Sequence, residues 1–262
     1  MKYLSDYHLH SKFSFDSNQN IEEIVVKAIS MNINEICLTE HISFDPEDNS
    51  YNFFNYNDYE NEILDLSQKY HKRIRIKKGL EIGEYHLFKD DFDKYFKTNN
   101  IDFIIGSIHN LNGQGLRANI SEHGVNYTYE TYFKEVLEFV KVGDFDVLGH
   151  LDIVQRYAFK ECGVYNFEDF KEYIYEILKI IISSGKGIEV NTSGLNNNLL
   201  FPKLEILKMY KDLNGKIITV GSDAHTNDKI GQKINYAYDL LKDLEFKYVF
   251  TYSNRKINGV IL

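Results

Sequence analysis

The segment Asp6-Tyr7-His8-Leu9-His10 sets a carboxylate and two imidazoles on alternate positions of a short apolar stretch. Alternate side chains of a strand point the same way, so all three are expected to converge on one side. Such a donor set is suited to a divalent metal ion. The same residue types recur in Thr39-Glu40-His41, Lys78-Gly79-Leu80-Glu81, Gly106-Ser107-Ile108-His109, Gly149-His150-Leu151-Asp152 and Gly221-Ser222-Asp223-Ala224-His225. Packing alone gives no reason to gather uncompensated imidazoles and carboxylates in this way.

The elements that must carry these motifs are legible as short apolar runs alternating with amphipathic segments. Strands are expected at Tyr3–His8, Glu35–Thr39, Arg75–Glu81, Phe103–Ser107, Val147–His150, Gly187–Asn191, Ile217–Ser222 and Tyr248–Tyr252. Helices are expected at Ile21–Met31, Asp58–Tyr70, Lys89–Phe96, Tyr129–Val142, Phe167–Ser184, Lys203–Asp212 and Ile234–Leu244. Ile174, Ile177, Leu178, Ile181 and Ile182 follow the spacing of a helix buried on one face. Regular alternation of this kind predicts parallel strands with crossover helices, and seven or eight units suit a barrel. Of nine His, six then fall at or just beyond C-terminal strand ends, the face on which barrel enzymes act. His71, His86 and His123 read as surface residues.

The chain has 262 residues, 43% hydrophobic and 26% charged, as expected of a globular protein in water. A net charge of −9 argues against a general nucleic-acid or anionic-membrane surface. A small anionic substrate remains compatible with it, because bound metal reverses the local sign. Two Cys, Cys37 and Cys162, are too few for a disulfide framework or a Cys-type zinc site. With no long apolar run and no leader pattern, a cytoplasmic location is expected.

Taken in order, and with Ser11, Ser14 and Asp16 after the first motif and Asn191-Thr192-Ser193-Gly194-Leu195 and Asn254-Arg255-Lys256 after the later ones, these motifs resemble the polymerase-and-histidinol-phosphatase (PHP) superfamily, in its histidinol-phosphatase branch. The resemblance implies a single α/β domain over residues 1–262, a distorted (β/α)7 TIM-like barrel with a metal site at the C-terminal strand ends. It implies two or three divalent ions, zinc, iron or manganese. The first would be held by His8, His10, Glu81 and Asp223; the second would share Glu81 and add His109 and His150; the third would take Asp16, His41 and His225. The implied activity is hydrolysis of a small phosphate monoester, histidinol phosphate first, by a hydroxide shared between metals.

Besides the bridging Glu81, Asp6 and Asp152 are candidate catalytic residues, either for proton handling or for orienting a ligating His. Arg156, six residues after His150 and ahead of a helix-breaking loop, matches the basic residue that this branch uses near the phosphate. Arg117 and Arg255 are further substrate-binding candidates. Two departures from the branch bear on the substrate: Asn196 stands where an Arg often follows the Asn-Thr-Ser-Gly-Leu motif, and the loop after His109 lacks an aromatic. Alternative readings are a phosphatase or phosphodiesterase of the same superfamily acting on another small ester, and a non-catalytic metal-binding module. An amidohydrolase with a similar His-x-His start is disfavoured, because Glu81 occupies the position where that class typically has a bridging Lys.

Overall fold

The computed structural model describes residues 3–262. The strands are β1 (Ser5–Leu9), β2 (Glu35–Ile42), β3 (Arg75–Gly83), β4 (Phe103–Ser107), β5 (Asn110–Leu111), β6 (Gln114–Gly115), β7 (Val147–Leu148), β8 (Gly187–Asn191), β9 (Ile218–Gly221), β10 (Tyr248–Ser253) and β11 (Lys256–Ile261). Strands β1, β2, β3, β4, β7, β8 and β9 form one seven-stranded parallel sheet in chain order. Its two edges meet. Leu9 bridges Ala224, Asp223 N–H donates to His8 O at 2.8 Å, and His10 N–H donates to Ala224 O at 3.1 Å. The result is a nearly closed barrel wrapped by helices.

Each expected helix is present within a few residues of its predicted bounds. Asn20 and Asn55 cap two of them, accepting from the backbone N–H of Glu22 and Asp58 and so satisfying donors that a helix start leaves free. In the helix Lys171–Ser183, Ile174, Ile177, Leu178 and Ile181 are buried, as their spacing requires. Two helices, Leu116–His123 and Val154–Cys162, fall in stretches where no helix is expected. The second matters for function, because it carries Arg156.

The eighth expected strand does not join the barrel. β10 pairs antiparallel with β11, and this hairpin closes the N-terminal end. Tyr252 packs with Tyr7, Cys37, Phe103, Ile105 and Val147 in a separate apolar cluster inside the barrel, and its backbone N–H donates to Tyr7 Oη at 2.8 Å. One end of the barrel is thus sealed by apolar side chains, which leaves the polar set to the other.

β1 departs from regular alternation. Asp6 pairs with Ile36 but Leu9 pairs with Leu38, so three steps on β1 match two on β2. This is a bulge, one extra residue that resets the alternation. It sends both Tyr7 and His8 into the barrel: Tyr7 joins the apolar cluster, while His8 meets Glu81 and Glu189. Asp6 stays on the outer face with Ile36, and the expectation that Asp6, His8 and His10 converge holds only for the two His. Space for His8 comes from Gly221, where a Cβ would lie 2.3 Å from both Glu189 Oε1 and His8 Cβ. Only glycine fits there.

Candidate metal centre

Glu81, 1% exposed at the end of β3, is the hub. Its Oε1 lies 2.9 Å from His150 Nε2 and 3.1 Å from His109 Nε2, and accepts from Ser107 Oγ at 2.7 Å. Its Oε2 lies 3.0 Å from His8 Nε2, 3.4 Å from His10 Nε2 and 3.3 Å from His41 Nδ1. Asp223 Oδ1 is 3.7 Å from His8 Nε2 and 3.6 Å from His10 Nε2. On the open side, Asp16 Oδ2 lies 3.1 Å from His225 Nε2 and 3.5 Å from His41 Nε2. All nine expected ligands therefore meet in one place. Their ligand atoms fall into four overlapping groups within 4.8 Å: His8, His10 and Asp223; His8, Glu81 and His150; His41, Glu81 and His109; and His10, Asp16, His41 and His225.

Burial grades across the centre. His8, His10, Glu81 and His150 are buried, whereas Asp16, His109 and His225 keep about a third of their side chains in contact with solvent. The electrostatics follow. Burial resists ionisation of Glu81, but His8, His109 and His41 outweigh it and hold the carboxyl well below its usual range. Burial, together with His225, His41 and His8, pushes His10 well below the usual imidazole range, so it is neutral. Burial opposes charge on His109 and His225 as well, yet the carboxylates facing them raise each to about 9.

The residues fit divalent ions. His10 Nε2 is buried and has no hydrogen-bond partner. Ser14 Oγ donates to Glu40 and accepts from His41 N–H, so it is placed to accept the Nδ1 proton of His10 at 3.1 Å. That tautomer leaves the Nε2 lone pair facing Glu81 and Asp223. An orphaned imidazole nitrogen among carboxylate oxygens is costly in a bare protein and is satisfied by a cation.

The centre opens into a cavity of about 300 Å³ lined by Phe15, Glu47, Asp48, Asn110, Arg156 and Tyr157 among others. Arg156 sits in the first turn of the helix Val154–Cys162, not beside a loop. Its guanidinium donates to Ser193 Oγ and, at 3.0 Å, to Asp223 Oδ2, and it lies over the Phe201 ring. Among the described residues it is the only Lys or Arg lining this cavity. Asp223 itself adopts the left-handed backbone region at φ 53°, a strained placement that its hydrogen bonds hold in position.

Four of the candidate catalytic and substrate-binding residues lie outside the cavity lining. Asp6 is buried outside the cavity, accepting from Ser222 N–H (2.8 Å), Ser222 Oγ (2.6 Å) and Gly231 N–H (3.0 Å); it anchors the loop that carries Asp223 and His225. Burial raises its carboxyl to about 6. Asp152 accepts from Tyr165 Oη at 3.0 Å and Lys203 N–H at 3.1 Å, is raised to about 7 by burial, and does not line the cavity. Arg117 is exposed and stacks on Tyr157; the ring lines the cavity and the guanidinium does not. Arg255 lies at the sealed end, paired with Asp144 at 2.9 Å and Asp146 at 2.6 Å, because the chain reverses there into the hairpin. His86 is also not a surface residue, since its side chain is 8% exposed and paired with Glu135.

Sequence reasoning missed Glu189, Ser107 and Ser193. Glu189 Oε1 lies 2.6 Å from His8 Nδ1. Its signal was a charge at an inward position of the otherwise apolar and small run Gly187-Ile188-Glu189-Val190-Asn191. The serines carried no signal apart from their neighbours.

A parallel barrel with a His/carboxylate centre at its C-terminal rim has known counterparts. The PHP domain family model matches residues 6–193, and the chain belongs to the PHP domain family. Asp223 and His225 lie beyond that match but inside full-length relatives. The chain is 32% identical to the probable histidinol-phosphatase of Clostridium acetobutylicum, over 94% of this chain and 95% of that protein. It is 30% identical to the histidinol-phosphatase of Lactococcus lactis, over 97% and 96% respectively. The crystal structure of the Lactococcus lactis histidinol phosphate phosphatase with zinc, L-histidinol and phosphate superposes with a TM-score of 0.88 at 29% identity, covering 98% of this chain and 100% of that one.

Proposed function

We propose that this chain is a metal-dependent phosphomonoesterase that hydrolyses L-histidinol phosphate to L-histidinol and inorganic phosphate. The observation that carries the reading is the convergence of nine candidate metal-ligand side chains, seven of which line one cavity together with a guanidinium. The full-length likeness to histidinol-phosphatases supports the choice of substrate. His8, His10, Glu81 and Asp223 would hold one divalent ion, Glu81, His109 and His150 a second, and Asp16, His41 and His225 a third. Zinc, manganese and iron all suit this mixture of imidazole and carboxylate. Such ions supply Lewis-acid neutralisation of phosphate oxygens and a water deprotonated near neutral pH.

The chain's own groups do the rest. Arg156, held by Ser193 and Asp223, presents a guanidinium to a phosphate oxygen, and its fixed plane orients the ester. Glu47 and Asp48 place negative charge on the cavity wall, where an ammonium or imidazolium of the substrate is favoured and a second phosphate is not. Tyr157 and Phe15 supply aromatic walls that the loop after His109 lacks. Asn196 faces Gln232, its Nδ2 3.0 Å from Oε1, and is absent from the cavity lining, so a single Arg faces the phosphate.

The test is phosphate release from histidinol phosphate beside a panel of mono- and diesters, with protein loaded separately with zinc, manganese or iron. A kcat/KM for histidinol phosphate far above the rest is expected; a stronger preference for another ester reassigns the substrate. Arg156→Ala should raise KM for the monoester about 10–100-fold with metal content intact. An unchanged KM removes Arg156 from the site.

A further inference from the structure

Glu189 stands on β8 behind the metal centre, 1% exposed and away from the cavity. Both of its oxygens are engaged, and both partners of Oε2 are donors. Oε1 lies 2.6 Å from His8 Nδ1. Oε2 accepts from the backbone N–H of His150 at 2.9 Å and from Asn191 Nδ2 at 3.2 Å. The carboxylate thus touches the ring of one expected ligand and the backbone of another, on strands that lie apart in the barrel order. It packs close against two glycines: a Cβ added at Gly221 would fall 2.3 Å from Oε1, and one at Gly149 3.5 Å from Oε2.

We propose that Glu189 is the positioning residue of the metal centre, fixing His8 as the Nδ1–H tautomer so that its Nε2 lone pair faces Glu81 and Asp223, while seating His150 through its backbone. The inference rests on the metal-site reading above. A carboxylate is required because both sides need an acceptor. Glutamine, of the same shape, accepts on one side only. With its oxygen toward His8, its amide confronts the His150 N–H and the Asn191 amide. Turned around, it offers an N–H to His8 Nδ1, which must then carry its proton on Nε2 and lose that lone pair as a ligand. Either orientation damages a ligand that approaches Glu81. Hydrogen-bond partners of metal-ligating imidazoles typically account for 10–100-fold in metal affinity.

The experiment measures zinc affinity of the full chain by competition with a chelator, for the wild type, Glu189→Gln and Thr219→Val. Thr219 is the paired neighbour of Glu189 on β9, buried, with no hydrogen-bond partner for its hydroxyl, and controls for packing in the same layer. Expected are a 10–100-fold weaker affinity for Glu189→Gln, wild-type affinity for Thr219→Val, cooperative thermal unfolding of all three metal-free proteins with a Tm for Glu189→Gln lower by a few degrees, and recovery of kcat in excess zinc with KM unchanged. Wild-type affinity in Glu189→Gln overturns the proposal, as does an equal loss in Thr219→Val. Failure of the wild type to bind zinc overturns the metal-site reading itself. Should Glu189→Gln not fold, nitrogen-15 spectra of the zinc-loaded wild type decide: a protonated His8 Nδ1 is expected, and a protonated Nε2 overturns the proposal.

Discussion

Asp6→Asn separates a catalytic carboxylate from an anchoring one. Asp6 Oδ1 accepts from the backbone N–H of Ser222 at 2.8 Å and of His8 at 3.4 Å; Oδ2 accepts from Ser222 Oγ at 2.6 Å and the backbone N–H of Gly231 at 3.0 Å. In the variant, Oδ1 keeps its two donors. The amide replacing Oδ2 can donate to Ser222 Oγ once that hydroxyl rotates, but the Gly231 N–H is fixed by the backbone and faces another donor. A buried N–H left unpaired costs about 1–3 kcal/mol. For a domain of this size that corresponds to a fall in Tm of roughly 2–4 °C per kcal/mol, or about 4–8 °C for a loss near 2 kcal/mol. The loop carrying Asp223 and His225 loosens with it, so zinc affinity should also weaken. At saturating zinc, kcat should stay within about tenfold of wild type, whereas loss of a general acid lowers it about 10²–10⁴-fold. Thermal unfolding, zinc titration and steady-state kinetics on one preparation settle the matter. A collapse of kcat by two orders of magnitude, with Tm and zinc content unchanged, would refute the anchoring role.

Glu81→Gln should strip the two ions proposed to share this carboxylate, measured as metal content after dialysis, and retention of the full complement would count against the hub. Gly221→Ala should cost about 1–3 kcal/mol or more, because its Cβ meets Glu189 and His8 at 2.3 Å; a variant with wild-type Tm and zinc affinity would show that the packing there is loose. Arg255→Ala should leave KM and kcat unchanged and destabilise by roughly 1–3 kcal/mol, below the value for a fully buried pair because Arg255 is 26% exposed. Burial raises the Asp146 carboxyl and Arg255 opposes that rise. A carboxyl raised in the folded state holds its proton more tightly there than when unfolded, so its ionisation destabilises the fold as pH rises through the raised value. Removing Arg255 raises it further, and the deficit of the variant should grow from acid to neutral pH; denaturant midpoints across that range would show a flat difference if the pair were unimportant.

The candidate ligand set was legible because metal chemistry leaves few choices of residue. Imidazoles and carboxylates at the ends of apolar runs have no use in packing, and their places at the C-terminal ends of parallel strands put them on one rim. Glu81, His109, His150, Asp223 and His225 all lie where that reasoning put them. The helices were legible for the same reason, through apolar spacing, apart from the two short ones. Arg156, six residues after His150, was singled out by the resemblance to the histidinol-phosphatase branch, although the helix that orients it was not foreseen.

The residues that support the centre needed the fold. Asp6 sits two positions from His8, and strand periodicity assigns both to one face; a single bulged residue, invisible in composition, turns them apart. Arg255 follows the eighth apolar run and was a substrate-binding candidate beside a structural reading, and that run folds back as a hairpin and seals the opposite end. Glu189 and Ser193 act through partners far away in the chain, His8 and Arg156, so no local pattern gives their roles, although the buried charge of Glu189 marks its position. The sequence by itself determined which side chains can bind metal and on which rim they gather, since residue chemistry and strand period are local properties. Which carboxylate faces the cavity, which anchors a loop and which fixes a ring depends on register and barrel closure. Those were decided only when strands distant in the chain packed together.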